Sequence, residues 1–181
     1  NTVENLEALF KLAKEQHLPV FVSPHYYFPH DHKWVSTAPG ETFMHSTGMF
    51  DRQGPLNVDN FENSGADFMP QFKPYIYDGE TVITSPHKIF GPETNDLVLQ
   101  LRKRGISQVI LAGMAANLCI ESHLRELIEQ GFEVVVVKDA TAGPRIPEGD
   151  GYLAALTNYR IIANDLWDTE KTIETVKAAA K

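Results

Sequence analysis

The chain has 181 residues, enough for one compact domain with a sizeable core, and a single domain over 1–181 is expected. Its 43% hydrophobic and 22% charged content is ordinary for a globular protein, and no apolar run approaches the roughly 18 residues of a membrane span. A net charge of −8, from 16 basic and 24 acidic residues, gives no electrostatic reason to expect nucleic acid, so neither nucleic acid nor a membrane is an expected partner.

Asn1 and Glu4 have the spacing of a capping box, with Asn in place of the usual Ser or Thr. Val3, Leu6, Phe10 and Ala13 then form one apolar stripe, so NTVENLEALFKLAKEQ reads as a helix. LPVFVS, from Leu18 to Ser23, reads as a short buried strand. From Pro24 to about Gly79 the text is rich in Pro, Gly, His, Asn and aromatics and keeps neither helical nor strand period. A loop of that length in a compact domain usually has a function or covers something. Regular order then resumes: TVIT (Thr81 to Thr84) as a strand, PETNDLVLQLRKRG as a helix stopped by Gly105, and QVILAG as a strand. A helix from Cys119 to Gln130, the strand EVVVVKD, a helix around Asp150 to Tyr159, the strand RIIAN and a final helix from Thr169 complete the chain. Short β-branched runs suit strands buried on both faces. Repeated β-α-β order predicts a three-layer α/β/α domain with a mostly parallel, doubly wound sheet.

In such sheets ligands bind at the carboxyl ends of the strands. Three polar landmarks fall there: the turn Ser85-Pro86-His87-Lys88, the turn from Gly113 to Cys119, and Asp139. Cys119 is the only cysteine, which excludes an intramolecular disulfide and fits a reducing compartment; a cytoplasmic location is expected. A thiol at the first turn of a helix meets unpaired N–H groups and the positive dipole end, which favour thiolate and could hold an oxyanion. Asn117 is placed to cap that helix, and Ile120, Leu124, Leu127 and Ile128 to form its buried face. The same cysteine also suits a small apolar packing residue. Lys88 could reach the crevice and stabilise a thiolate or orient a carboxylate, or it could be a solvated surface lysine. Asp139 is expected to cap the turn that follows it. His25, His30, Asp31, His32 and Trp34 crowd the segment HYYFPHDHKW, but their spacing is too loose to fix a metal. The expectation is a polar loop with aromatic anchors, with no metal and no cofactor.

VILAGMAANLCIESHLRELIEQGFEVVVVKDATAG resembles the core signature of the isochorismatase-like cysteine hydrolase superfamily, which includes nicotinamidases, N-carbamoylsarcosine amidases, ureidoacrylate amidohydrolases and biuret hydrolases. SPHKIFGPETNDLVLQLRKRGI resembles the segment that carries the family lysine. The resemblance is strong from about Thr81 to Ala142 and holds in element order beyond. It implies Cys119 as nucleophile, Lys88 as catalytic lysine, and a cis bond between Met114 and Ala115. That bond would aim the N–H of Ala115, with that of Cys119, at the substrate oxyanion. It further implies a small amide or ureido substrate, a thioester intermediate and a homo-oligomer. Tyr26, Phe28 and Trp34 are the candidate substrate-lining residues.

Two departures accompany the resemblance. The family's third catalytic group is an Asp at the end of a first strand ahead of the first helix. The chain opens at that helix, so the first strand is expected to be missing from it, together with an N-terminal piece of the natural protein. Nicotinamidases also carry an Asp-x-His pair after the second strand, where Ser23-Pro24-His25 stands here. Two alternatives stay open. One is a catalytically silent member that binds a ligand. The other is vinyl-ether hydrolysis of the isochorismate type, against which Cys119 argues, because members with that chemistry generally lack the nucleophile.

Overall fold

A computed structural model describes residues 1–51 and 61–180. Helix α1 (Thr2–Glu15) starts where the sequence places it. The Asn1 side chain accepts from the amides of Val3 and Glu4 at 3.1 and 3.3 Å, and Glu4 returns a bond to the cap backbone. Its stripe is half-buried: Phe10 packs on Phe72 and stacks on Tyr75, and Leu12 is the residue fully covered.

Strand β1 (Phe21–Val22) pairs in parallel with β2 (Val82–Ile83). The pairing outruns both strands. The amide of Thr84 donates to Val22 O and that of His87 to Pro24 O, which brings His25 into register with His87. The segment expected as an irregular loop is therefore partly ordered. It holds helices α2 (Pro39–Thr47) and α3 (Lys73–Ile76) and a 3-10 turn over Pro29–Lys33. The signals for α2 were local: Pro39 in its first turn and Gly48 in the left-handed region at its end.

The helix expected from Pro92 is split. A 3-10 turn (Pro92–Thr94) precedes α4 (Leu97–Lys103), because Asn95 between them is extended. Its side-chain amide donates to Ser23 Oγ and Thr84 Oγ1, and its Oδ1 accepts from Leu97 N–H.

Strands β3 (Gln108–Met114) and β4 (Glu133–Ala142) run in parallel, with a register shift between Leu111 and Gly113. Between them lie a π-helical turn over Ala116–Ile120 and α5 (Glu121–Glu129), so the expected helix from Cys119 starts earlier and has a wide first turn. After β4 come a hairpin of β5 (Arg145–Ile146) and β6 (Gly149–Asp150), α6 (Gly151–Ile162), β7 (Asp165–Trp167) and α7 (Thr169–Ala179). The expectation of a strand at RIIAN is corrected. Gly151, Ala155 and Tyr159 keep a buried four-residue period that carries α6 through Ile162. The strand begins only after Asn164, whose side-chain oxygen and backbone amide both bond Val134.

The order of the larger sheet is β3-β4-β7, all parallel, which agrees with the α/β class read from sequence. Among the described residues this triplet shares no ladder with β1–β2. Strand β4 is therefore, among the described residues, the ladder partner of β3 on one side alone, and Met114 at the end of β3 is 69% exposed. Val134 and Val136 join Leu97, Leu101, Leu124, Leu127 and Tyr159 in the main core. Helices α5 and α6 pack on each other and on β4, and α1 and α7 do likewise. Val137, buried outside that cluster, belongs to the second face by strand alternation. No helix among the described residues is long and apolar enough to cross a membrane.

Candidate active site

Strand β3 delivers the chain to the site through Gly113, whose φ of 126° is one that side-chain-bearing residues rarely adopt, and a Cβ there would lie 3.3 Å from Ile120 Cδ1. The next peptide, Met114–Ala115, is cis. Ala115 O then accepts from Leu118 N–H and, five residues on, from Ile120 N–H, which gives the turn its width. Cys119 is a free, partly buried thiol in this turn.

Burial pushes the Cys119 thiol up from its ordinary value, and the backbone amides of Ala115 and of Cys119 itself, which face the sulfur, pull it down by less. Alongside the donors that the sequence places at the helix start, burial acts in the opposite sense and is the larger influence. Asn117 makes no capping bond, and its Oδ1 is buried without a partner among the described residues. A Cβ on Gly151 or Gly143 would lie 2.7 or 3.2 Å from the Asn117 side chain, so these two glycines admit it.

Behind the thiol runs a polar chain that the sequence reading did not single out. His123 Nδ1 lies 2.7 Å from Cys119 O, an atom that can only accept, so Nδ1 carries the proton. Nε2 is then the acceptor for the Ser23 hydroxyl at 2.8 Å, and Asn95 donates to Ser23 Oγ at 2.8 Å. Burial lowers His123, which keeps the ring neutral. The chain ties the end of β1 and the start of α4 to the backbone of the nucleophile.

In front of the thiol stand two imidazoles. His25, His87 and Cys119 each offer one ligand atom, all within 4.8 Å of one another. The histidine rings lie side by side, centroids 4.6 Å apart, because their residues are register partners. Burial pushes His25 down to about 4, against the pull of the Lys88 backbone and with the charges of Lys88, His123 and His45. Burial and the charges of His123 and His25 push His87 down to about 2. His25 Nδ1 and Nε2 and His87 Nδ1 are buried without a hydrogen-bond partner among the described residues. Phe50 stacks on His25 at 4.2 Å and Tyr27 meets it edge-on at 5.2 Å.

Lys88 does not stand free. Its Nζ is 2.5 Å from Asp31 Oδ2, 3.4 Å from Tyr26 O and 3.9 Å above the Phe28 ring. Burial raises Asp31, but the Lys88 hydrogen bond, the Phe28 amide and the charges of Lys88 and His30 overcome it and hold the carboxyl below its usual range. Asp31 is thus the carboxylate partner of Lys88, and it lay unassigned within the histidine-rich segment. Tyr26 and Phe28 meet edge-to-face on the Lys88 side, whereas Trp34 packs on Tyr27 and His45. The three expected lining residues therefore do not form one wall. Tyr27, not anticipated, is fully buried; the alternation His25, Tyr27 against Tyr26, Phe28 was the strand-like signal for it.

The histidines of that segment separate. His30 lies 3.4 Å from Asp31, while His32 contacts Asp51 and His45, each at 3.0 Å. Asp139 is also corrected: its Oδ1 accepts from Thr169 N–H and Oγ1 at 2.8 and 2.9 Å, so it joins β4 to the start of α7 instead of capping its own turn. Two surface recesses, one beside Lys138 and Arg160 and one between α1 and Thr141 to Arg145, are lined by neither Cys119 nor Lys88.

A free thiol in the turn after a parallel strand, with two histidines close in front of it, defines an α/β protein with a cysteine-centred site. The chain belongs to the isochorismatase family: the Isochorismatase domain model matches residues 1–171. It is 36% identical over 77 residues, 41% of its length and 38% of the other, to an uncharacterized isochorismatase family protein, YwoC, of Bacillus subtilis (strain 168). It spans between 24% and 54% of the length of the first curated relatives it matches. Among solved structures, a cysteine hydrolase from Pseudomonas syringae pv. phaseolicola 1448A superposes with a TM-score of 0.79 at 17% identity, covering 99% of this chain and 81% of that one. The nicotinamidase PncA of Bacillus subtilis gives 0.69 at 19% identity, covering 92% and 84%. At those identities the likeness is one of fold.

Proposed function

We propose that this protein is a cysteine-dependent hydrolase of a small amide or ureido C–N bond. The observation that carries this reading is the place of Cys119, a free thiol in the turn that follows a parallel strand at its carboxyl end, where the amides of Ala115 and Cys119 are within the same turn to serve an oxyanion. In the reaction the thiol gives up its proton and Sγ bonds the substrate carbonyl carbon. The oxyanion accepts from the two amides. The C–N bond then breaks and the nitrogen leaves, with a proton, as ammonia or an amine. Water cleaves the thioester, releasing the acid and restoring the thiol. Lys88, held by Asp31, supplies positive charge on the Tyr26–Phe28 side of the site. A homo-oligomer, with a pocket wall contributed by a second copy, is part of this reading. A lone free thiol suits the reducing cytoplasm.

The test is a panel of small amides and ureides followed by ammonia or amine release, with Cys119→Ala as control and intact-mass detection of a thioester adduct. Turnover that survives Cys119→Ala would overturn the assignment. The raised thiol favours a second reading, a silent binding member, which ligand binding without product or adduct would identify.

A further inference from the structure

Three imidazole nitrogens in front of the thiol, His25 Nδ1 and Nε2 and His87 Nδ1, are buried without a hydrogen-bond partner among the described residues, and the proposed hydrolysis gives them no part. Buried polar groups are almost always paired, so these orphan nitrogens call for a partner. We propose that Cys119 Sγ, with one ring nitrogen each from His25 and His87, is a binding site for a divalent transition metal of the zinc type.

The donor set selects the ion. One thiolate and two neutral imidazoles are borderline-soft ligands that suit Zn²⁺ and not the oxygen-seeking Mg²⁺ or Ca²⁺. Geometry permits it. Bonds of about 2.3 Å to sulfur and 2.0–2.1 Å to nitrogen put tetrahedral donors about 3.3–3.7 Å apart. The three atoms here already lie within 4.8 Å, so modest side-chain rotation closes the site. Placement is not accidental, since the β1–β2 register sets the two rings together and the turn after β3 brings the sulfur to them. His87 is 2% exposed, and each neutral imidazole offers a metal one lone pair, on the nitrogen that carries no hydrogen. Lys88, the nearby cation, is held by Asp31. Binding forms a metal–sulfur bond, releases the thiol proton to solvent and changes no oxidation state. The set contains no carboxylate and includes the proposed nucleophile, unlike the Asp-x-His arrangement of nicotinamidases. A fourth position stays open, and metal and substrate compete for Sγ.

The site is read without substrate. Chelator-stripped protein is titrated with Co²⁺. One equivalent should bind, with a near-ultraviolet sulfur-to-cobalt band and intense visible four-coordinate bands that Zn²⁺ displaces. Cys119→Ser should abolish the sulfur band, and His25→Gln and His87→Gln should each weaken binding at least tenfold. Circular dichroism reports whether each variant folds. Should His87→Gln fail to fold, the less buried His25→Gln and protection of Cys119 from iodoacetamide by Zn²⁺ decide the matter. Absence of the sulfur band in the wild type, a band indifferent to His25, or cobalt bound without sulfur, as at His32 and His45, overturns the proposal. Cobalt binding by a protein that hydrolyses nothing would sink the hydrolase reading and leave the metal site standing; hydrolysis without cobalt binding would do the reverse.

Discussion

Replacing Asp31 with asparagine keeps the size of the side chain and removes only its charge. Asp31 is 5% exposed and accepts from Lys88 Nζ at 2.5 Å and from Phe28 N–H at 2.8 Å. Both donors reach the same oxygen, Oδ2, so in Asp31→Asn an amide oxygen at that place still accepts from Phe28 and Lys88, and what is lost is the charge that faces the ammonium. Breaking a fully buried ion pair costs about 3–5 kcal/mol, and losing an exposed one about 0–1 kcal/mol. The Lys88 side chain is 20% exposed and can recover part of its hydration, so a loss of about 2 kcal/mol is expected. Urea denaturation of the two proteins at pH 7 reads it directly. The pH dependence supplies the stricter check. The folded pKa of Asp31 lies below that of the unfolded chain, so its stabilisation is complete above the unfolded value of about 3.9 and fades as pH falls through the folded one. The gap between wild type and variant should therefore be full at pH 7 and narrow in acid. A gap below about 0.5 kcal/mol at pH 7, or one that is constant into acid, would refute the ion pair as a support of Lys88.

Three further outcomes are expected. Tyr159→Phe removes a 2.5 Å bond to Ala116 O, which keeps its bond from Glu121 N–H; denaturation should show a loss of about 1 kcal/mol, not the larger cost of an orphaned carbonyl. Gly143→Ala places a Cβ 2.9 Å from the Tyr152 backbone nitrogen and 3.2 Å from Asn117 Oδ1, so thermal or urea unfolding should register a loss of about 1–3 kcal/mol. With chelator present, iodoacetamide should alkylate Cys119 slowly at pH 7 and faster as pH rises, with a midpoint above the usual thiol value of about 8.5. A midpoint below that value would mean that the Ala115 and Cys119 amides outweigh burial.

Much of the frame was legible as text because it is encoded over a few residues. The Asn1–Glu4 cap, the four valines of β4 and the glycine before the cysteine turn each state a local backbone preference, and together they yielded the parallel α/β class. The end of α6 was misplaced because Arg160–Ile162 has strand-like composition while Ala155 and Tyr159 continue a helical burial period that only packing reveals. The site divides along the same line. Cys119 and Lys88 stood out by their positions at strand ends, but the partners that govern them lie far away in the chain. Asp31 reaches Lys88 across 57 positions and Ser23 reaches His123 across 100. His25 meets His87 only because two short strands choose one register, in which every second side chain faces the same way. The direction in which the thiol is pushed was hidden from the sequence for a related reason. Local sequence shows the amides that favour thiolate, whereas desolvation depends on how many distant atoms close over the sulfur, a quantity that exists only once the chain has folded.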